Sequence, residues 1–177
     1  LQSEYLDGAF SMIKNREGYY KRELIEQECN IFNLKIIYHA PAMELHIPAL
    51  MPHRASRPGL FYEDTLSAYL DTFKHQNLND FKEYKESIKD GACIFVKCFM
   101  KSKFLIKDSD NLSLKAVIDA LVRYQYLKED KGTYLSLHIL TEYDKNYEDI
   151  TIIYLVPKKY SVSFMSNLME SKKSATS

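Results

Sequence analysis

Ala92-Cys93-Ile94-Phe95-Val96-Lys97-Cys98-Phe99-Met100 is the run that decides the fold. It is almost wholly apolar and rich in residues that suit a pleated surface, so it predicts a strand buried on both faces at the middle of a sheet. After it comes a lysine-dotted loop over 101–107. Next is a helix over about 111–124, with Leu112, Ala116, Ile118, Ala120 and Leu121 on its buried side. Two further strands are expected at 133–142 and 149–156, as an antiparallel pair. Ahead of the run, Asn79 reads as the N-cap of a helix reaching Lys89 and stopped by Gly91. Leu66, Tyr69, Leu70 and Phe73 give an amphipathic helix over 61–75. Residues 34–39 and 43–47 read as strands on either side of Pro41.

The 48–59 stretch carries three prolines and a glycine, so it is expected to be a loop. Residues 4–29 repeat Leu6, Phe10, Ile13, Tyr20, Leu24 and Cys29 at helical spacing, with Gly8 and Gly18 weakening the middle. The expected architecture is α+β: a small mixed or antiparallel β-sheet with helices mainly on one face, plus an N-terminal helix. The organisation follows as an N-terminal helical segment at 1–33, a main domain at 34–160, and a short helix and polar tail at 161–177.

Composition narrows the function classes. The chain has 177 residues, 46% hydrophobic and 13% aromatic, which suits a globular domain with a sizeable core. It shows no run long enough to cross a bilayer and no signal-peptide pattern, and it opens on Leu1 rather than Met. Its three cysteines, Cys29, Cys93 and Cys98, form no CxxC pair. That excludes a disulfide framework or zinc finger and fits buried thiols in a reducing cytosol. With 24 basic and 24 acidic residues the net charge is zero, which counts against a general nucleic-acid coat. An enzyme is still permitted, because an acidic metal site offsets basic residues elsewhere.

The chemistry concentrates just past the central run. Asp108-Ser109-Asp110-Asn111 leads into the helix, Lys115 and Asp119 follow along one helical face with Asn111, and Glu129-Asp130 comes after the helix. Clustered carboxylates can hold Mg²⁺ through oxygen ligands, and a neighbouring lysine can meet a phosphate. A bland reading stands beside this one. Asp, Ser and Asn are favoured caps and turn residues, Lys115 and Asp119 suit a solvated helix face, and Glu129-Asp130-Lys131-Gly132 suits a polar turn. An EF-hand loop is excluded, since Leu112 and Ser113 occupy its fifth and sixth positions. No glycine-rich phosphate loop occurs.

In this order the residues resemble the RusA family of Holliday junction resolvases, small phage and prophage endonucleases. The resemblance rests on the apolar strand, Asp108-Ser109-Asp110-Asn111, Lys115, Asp119-Ala120-Leu121 and Glu129-Asp130. It covers about residues 34–156 and is most specific over 108–130. Residues 35–73 match in outline through Pro48, Pro52, Arg54, Arg57 and Tyr69. Lys115 lies one residue further from Asn111 than in the family pattern, and the N-terminal helix lies outside it.

What the resemblance implies is a homodimer that nicks two strands of branched, four-way DNA in recombination and repair, using Mg²⁺ or Mn²⁺. Asp108, Asp110 and Asp130 would be the metal-binding, catalytic acids. Lys115 would stabilise the phosphate in the transition state, and Asn111, Asp119 and Glu129 would support. His53, Arg54, Arg57, Lys101, Lys103 and Lys107 are candidate DNA-phosphate contacts, with Lys97 also crowding the approach to Asp108. Such a protein is expected in the cytoplasm, free of membrane. Two rivals are a non-catalytic DNA-binding or regulatory protein on the same scaffold, and a protein-interaction domain working through its first helix.

Overall fold

The computed structural model describes residues 34–48, 60–101, 114–143, 145–146 and 148–170. The expected N-terminal helix, Asp108, Asp110, Asn111, Lys103, Lys107, His53, Arg54 and Arg57 lie outside them. The chain runs β1 (Lys35–His39), β2 (Ala42–Ile47), α1 (Leu60–Gln76), α2 (Leu78–Ser87), β3 (Ala92–Met100), α3 (Lys115–Arg123), β4 (Leu135–Tyr143), β5 (Ile150–Pro157), a 3-10 turn (Lys158–Tyr160) and α4 (Ser161–Glu170). The strands form one five-stranded sheet in the order β1-β2-β5-β3-β4. The architecture is thus mixed α+β.

Strand alternation writes the two faces of the sheet. Met43, Leu45 and Ile47 of β2 are buried in turn with half-buried neighbours. They join Ile94, Val96 and Cys98 of β3 and Ile153 and Leu155 of β5 in the main core, which α1, α2 and α3 cover. The opposite face buries Cys93, Phe95 and Val156 against Phe164 and Met165 of α4. Three helices therefore sit on one face and α4 on the other. Nearly all of β3 is buried because it receives cover from both sides, as its unbroken apolar run requires. Both of its cysteines are buried free thiols.

Two expectations need correction. β4 and β5 are not an antiparallel pair: each lies beside β3, β4 parallel to it and β5 antiparallel. Strand order is a long-range property, and the short 143–150 connection in sequence gave no sign that β3 would lie between its ends. The cap of α2 is Asn77, not Asn79. The Asn77 side chain donates to the Phe73 carbonyl at 3.1 Å, so it closes α1 while opening α2. Lys97 belongs to the α4 face of the sheet, where its ammonium meets Glu142 at 3.2 Å and sits 4.7 Å over the Phe99 ring; Asp108, whose approach it was expected to line, lies outside the described residues.

Candidate functional site

Two described elements position the site: the start of α3 and the 124–134 connection leading into β4. Ala92 pairs with Leu135 and Met100 with Tyr143, so the chain leaving β3 must travel back along the sheet before β4 can start. The nine residues of β3 extend ~30 Å. The nine of α3 recover ~13 Å. The 124–134 connection, which carries Glu129 and Asp130, lies on that return path.

α3 buries Val117, Ala120 and Leu121 and leaves Lys115 on its outer side. There the Lys115 ammonium donates to both carboxylate oxygens of Asp119, at 3.0 and 2.7 Å, across one helical turn. The side chain of Lys115 is 81% exposed and that of Asp119 42%. The hydrogen bond to Asp119 and its charge hold the lysine above its ordinary pKa, and the charge of Asp130 adds to the rise. Asp130, a whole helix and a turn further along the chain, is thus within electrostatic reach of Lys115. Of the four residues that the resemblance implies as catalytic, Lys115 and Asp130 are described, and both are exposed.

Glu129 is half-buried and engaged by Lys131 at 3.0 Å, which raises the lysine's pKa through the hydrogen bond first and the charge second. Asp130 is exposed and takes part in no ion pair or hydrogen bond among the described residues. Lys101 is exposed at the exit of β3, where its backbone N–H donates to Asp149 Oδ1 at 2.9 Å. Asp149, unremarked in the sequence reading, fixes where the chain leaves the strand. Its only sequence signal was an acid ahead of an apolar strand.

The 124–134 connection is held by three buried tyrosines, also missed in the sequence. Tyr126 Oη donates to the Leu70 carbonyl at 2.8 Å, Tyr84 Oη to the Tyr126 carbonyl at 2.9 Å, and Tyr134 Oη to the Ile88 carbonyl at 2.8 Å. Tyr134 Oη also accepts the Lys128 N–H at 3.3 Å. Burial raises the phenol pKa of all three. The acid pair therefore rides on a segment pinned to α1, α2 and the turn before β3.

Among the described residues no three His, Cys, Asp or Glu side chains gather to hold a cation. The hard oxygen donors of Asp130 and Glu129 suit Mg²⁺ or Mn²⁺ and would need further acids beside them. The remaining ligands that the sequence assigns, Asp108 and Asp110, precede α3 directly in the chain. Among the described residues no helix is long and apolar enough to cross a membrane.

The geometry defines an α+β domain with an exposed Lys115–Asp119 ion pair on α3. Residues 11–176 match the family described as "Family of unknown function (DUF6100)", and the chain belongs to that family. No curated protein matches it. Among solved structures it is similar to the periplasmic domain of Helicobacter pylori MotB, at 10% identity and a TM-score of 0.39, over 78% of this chain and 88% of that one. A putative MotB-like protein from Desulfovibrio vulgaris gives 12% identity and a TM-score of 0.37, over 89% and 100%. The OmpA-like domain of FopA1 from Francisella tularensis gives 8% and 0.31, over 70% and 80%. Likeness at that level is too loose to carry a functional argument.

Proposed function

We propose that this protein is a divalent-metal-dependent, structure-selective endodeoxyribonuclease that resolves four-way DNA junctions by paired nicks. The reading rests on the order of acids and lysine along the sequence, and the charge of Asp130 felt at Lys115 supports it. A helix-capping role explains acids at a helix start. It leaves the charge of Asp130 acting on Lys115 unaddressed.

Asp108, Asp110 and Asp130 would hold Mg²⁺ or Mn²⁺, with Glu129 and Asn111 in support. The cation, when bound, polarises the phosphodiester and lowers the pKa of a coordinated water. Lys115 is the electrostatic partner for charge building on the non-bridging phosphate oxygens. Its ion pair with Asp119 is exposed, and such pairs are weak in water, so the ammonium can exchange that carboxylate for a phosphate oxygen. Asp119 then acts as the parking site that keeps the lysine oriented before substrate arrives. Lys101 belongs to the same approach, with Arg54, Arg57, Lys103 and Lys107 as further phosphate contacts. Two cuts on a two-fold junction are met most simply by a homodimer with one site per protomer. A cytoplasmic location completes the reading.

The test uses a synthetic four-way junction with Mg²⁺ or Mn²⁺. Wild-type protein nicks it, EDTA stops the reaction, and Asp110→Asn and Asp130→Asn bind the junction without cutting. Equal cutting by wild type and Asp110→Asn removes the metal assignment. Binding without nicking at any metal concentration favours the non-catalytic DNA-binding alternative.

A further inference from the structure

A cleft of about 510 Å³ opens between α2 and the 124–134 connection, with Ile88 and Leu127 among its lining residues. Four lysines line it: Lys82, Lys85, Lys89 and Lys128, with Glu86 as the one acid. Glu86 is matched to Lys89. Lys82, Lys85 and Lys128 face no carboxylate at ion-pair distance among the described residues, so the cleft carries a surplus of positive charge in a protein whose net charge is zero.

The lysines are arranged rather than scattered. Lys82, Lys85 and Lys89 recur three and four residues apart, which puts them in a row down one side of α2 and its exit, ~10 Å long. Gln125 faces them from the other wall and accepts a hydrogen bond from Lys85 Nζ at 3.0 Å. Its backbone φ is 68°, the left-handed conformation that ends α3 and that glycine adopts at lower cost. A glycine there could not hold the lysine at the rim. Lys128 stands two residues from Asp130, so the cleft begins beside the proposed nuclease site.

We infer that this cleft is a track for the sugar-phosphate backbone of the DNA strand that continues from the cut phosphate. A strand of duplex DNA carries a phosphate about every 3.4 Å of helix axis, so a row of ~10 Å matches about three of them. The identity of the anion rests on the nuclease reading; the positive cleft does not. The contacts are to phosphate, so the track fixes the path of the strand without reading its sequence.

The experiment measures binding of a mixed-sequence duplex and a four-way junction by fluorescence anisotropy across a salt series, with the full chain. The variant Lys82→Gln/Lys85→Gln/Lys89→Gln is compared with wild type and with a control, Lys35→Gln/Lys145→Gln/Lys159→Gln, whose lysines are exposed elsewhere. Each lost phosphate contact lowers the slope of log K against log salt by ~0.9, so the cleft variant loses about 2–3 from its slope while the control keeps the wild-type value. Circular dichroism confirms that both variants fold. A wild-type slope in the cleft variant, or an equal loss in the control, overturns the inference. Junction cutting is scored in parallel. Cutting that persists with an unchanged slope removes the track and leaves the nuclease. A lost slope with no metal-dependent cutting by wild type keeps the track and removes the nuclease.

Discussion

Replacing the buried tyrosines by phenylalanine, one at a time, tests how the acid-bearing connection is held. All three hydroxyls donate to backbone carbonyls at 2.8 to 2.9 Å, so a count of bonds predicts equal effects. The acceptors differ, however. Leu70 lies inside α1, where its carbonyl also accepts within the helix. The Ile88 carbonyl also accepts the Gly91 N–H at 3.0 Å. The Tyr126 carbonyl, in the turn after α3, has no other donor among the described residues. Losing a hydrogen bond whose acceptor keeps a partner costs about 0.5–1.5 kcal/mol, whereas stranding a buried acceptor costs about 1–3 kcal/mol. Tyr84→Phe should therefore cost about 2 kcal/mol and Tyr126→Phe about 1 kcal/mol, with Tyr134→Phe closer to Tyr84→Phe because it also strands the Lys128 N–H. For a chain of this size that corresponds to a Tm lower by roughly 4–8 °C for Tyr84→Phe and 2–4 °C for Tyr126→Phe. Urea unfolding followed by circular dichroism measures the order, with unchanged m-values required for the comparison. If Tyr126→Phe costs more than Tyr84→Phe, the acceptor's second partner is not what sets the penalty and the reasoning fails.

Two further outcomes follow from single positions. Gly91 has φ 131°, and an added Cβ would lie 3.0 Å from both the Tyr134 carbonyl oxygen and Lys158 Cδ. Gly91→Ala should destabilise by more than ~1 kcal/mol, read by the same unfolding assay; a neutral result would show that the turn before β3 can rearrange. Tyr154 is pushed up to about 12 by burial first and by the charges of Glu44 and Glu142 second. A phenol whose folded pKa exceeds its unfolded value stabilises fully below pH ~10 and loses that contribution as pH rises through the folded value. Stability should therefore fall between pH ~10 and about 12, and Tyr154→Phe should make that fall shallower. An identical alkaline profile in the variant would contradict the assignment.

Much of the candidate site was legible in the chain because its spacing is local. Lys115 and Asp119 are one helical turn apart, and their ion pair follows from α3 alone. Where Glu129 and Asp130 would lie depends on strand order, which local spacing does not encode; β4 does lie beside β3, and the charge of Asp130 is felt at Lys115. The lysine cleft was not legible at all. Nothing in the sequence sets Lys82, Lys85 and Lys89 apart, and only the packing of α2 against the connection after α3 turns them into one wall of a cavity with Lys128.

By itself the sequence determined the elements. The unbroken apolar run at 92–100 could only be stable as a strand covered on both faces, and the alternation at 42–47 could only bury one side. Lys97 shows where such reading stops. Within a run of apolar neighbours nothing marks its partner, and the structure supplies Glu142 from the next strand. Tertiary structure alone decided that β3 would lie between β4 and β5 and that three tyrosines would reach carbonyls on other elements. The reason is physical: periodicity along a chain encodes which side of an element is buried, whereas strand order and hydrogen bonds between distant residues follow from how all the buried sides are satisfied at once.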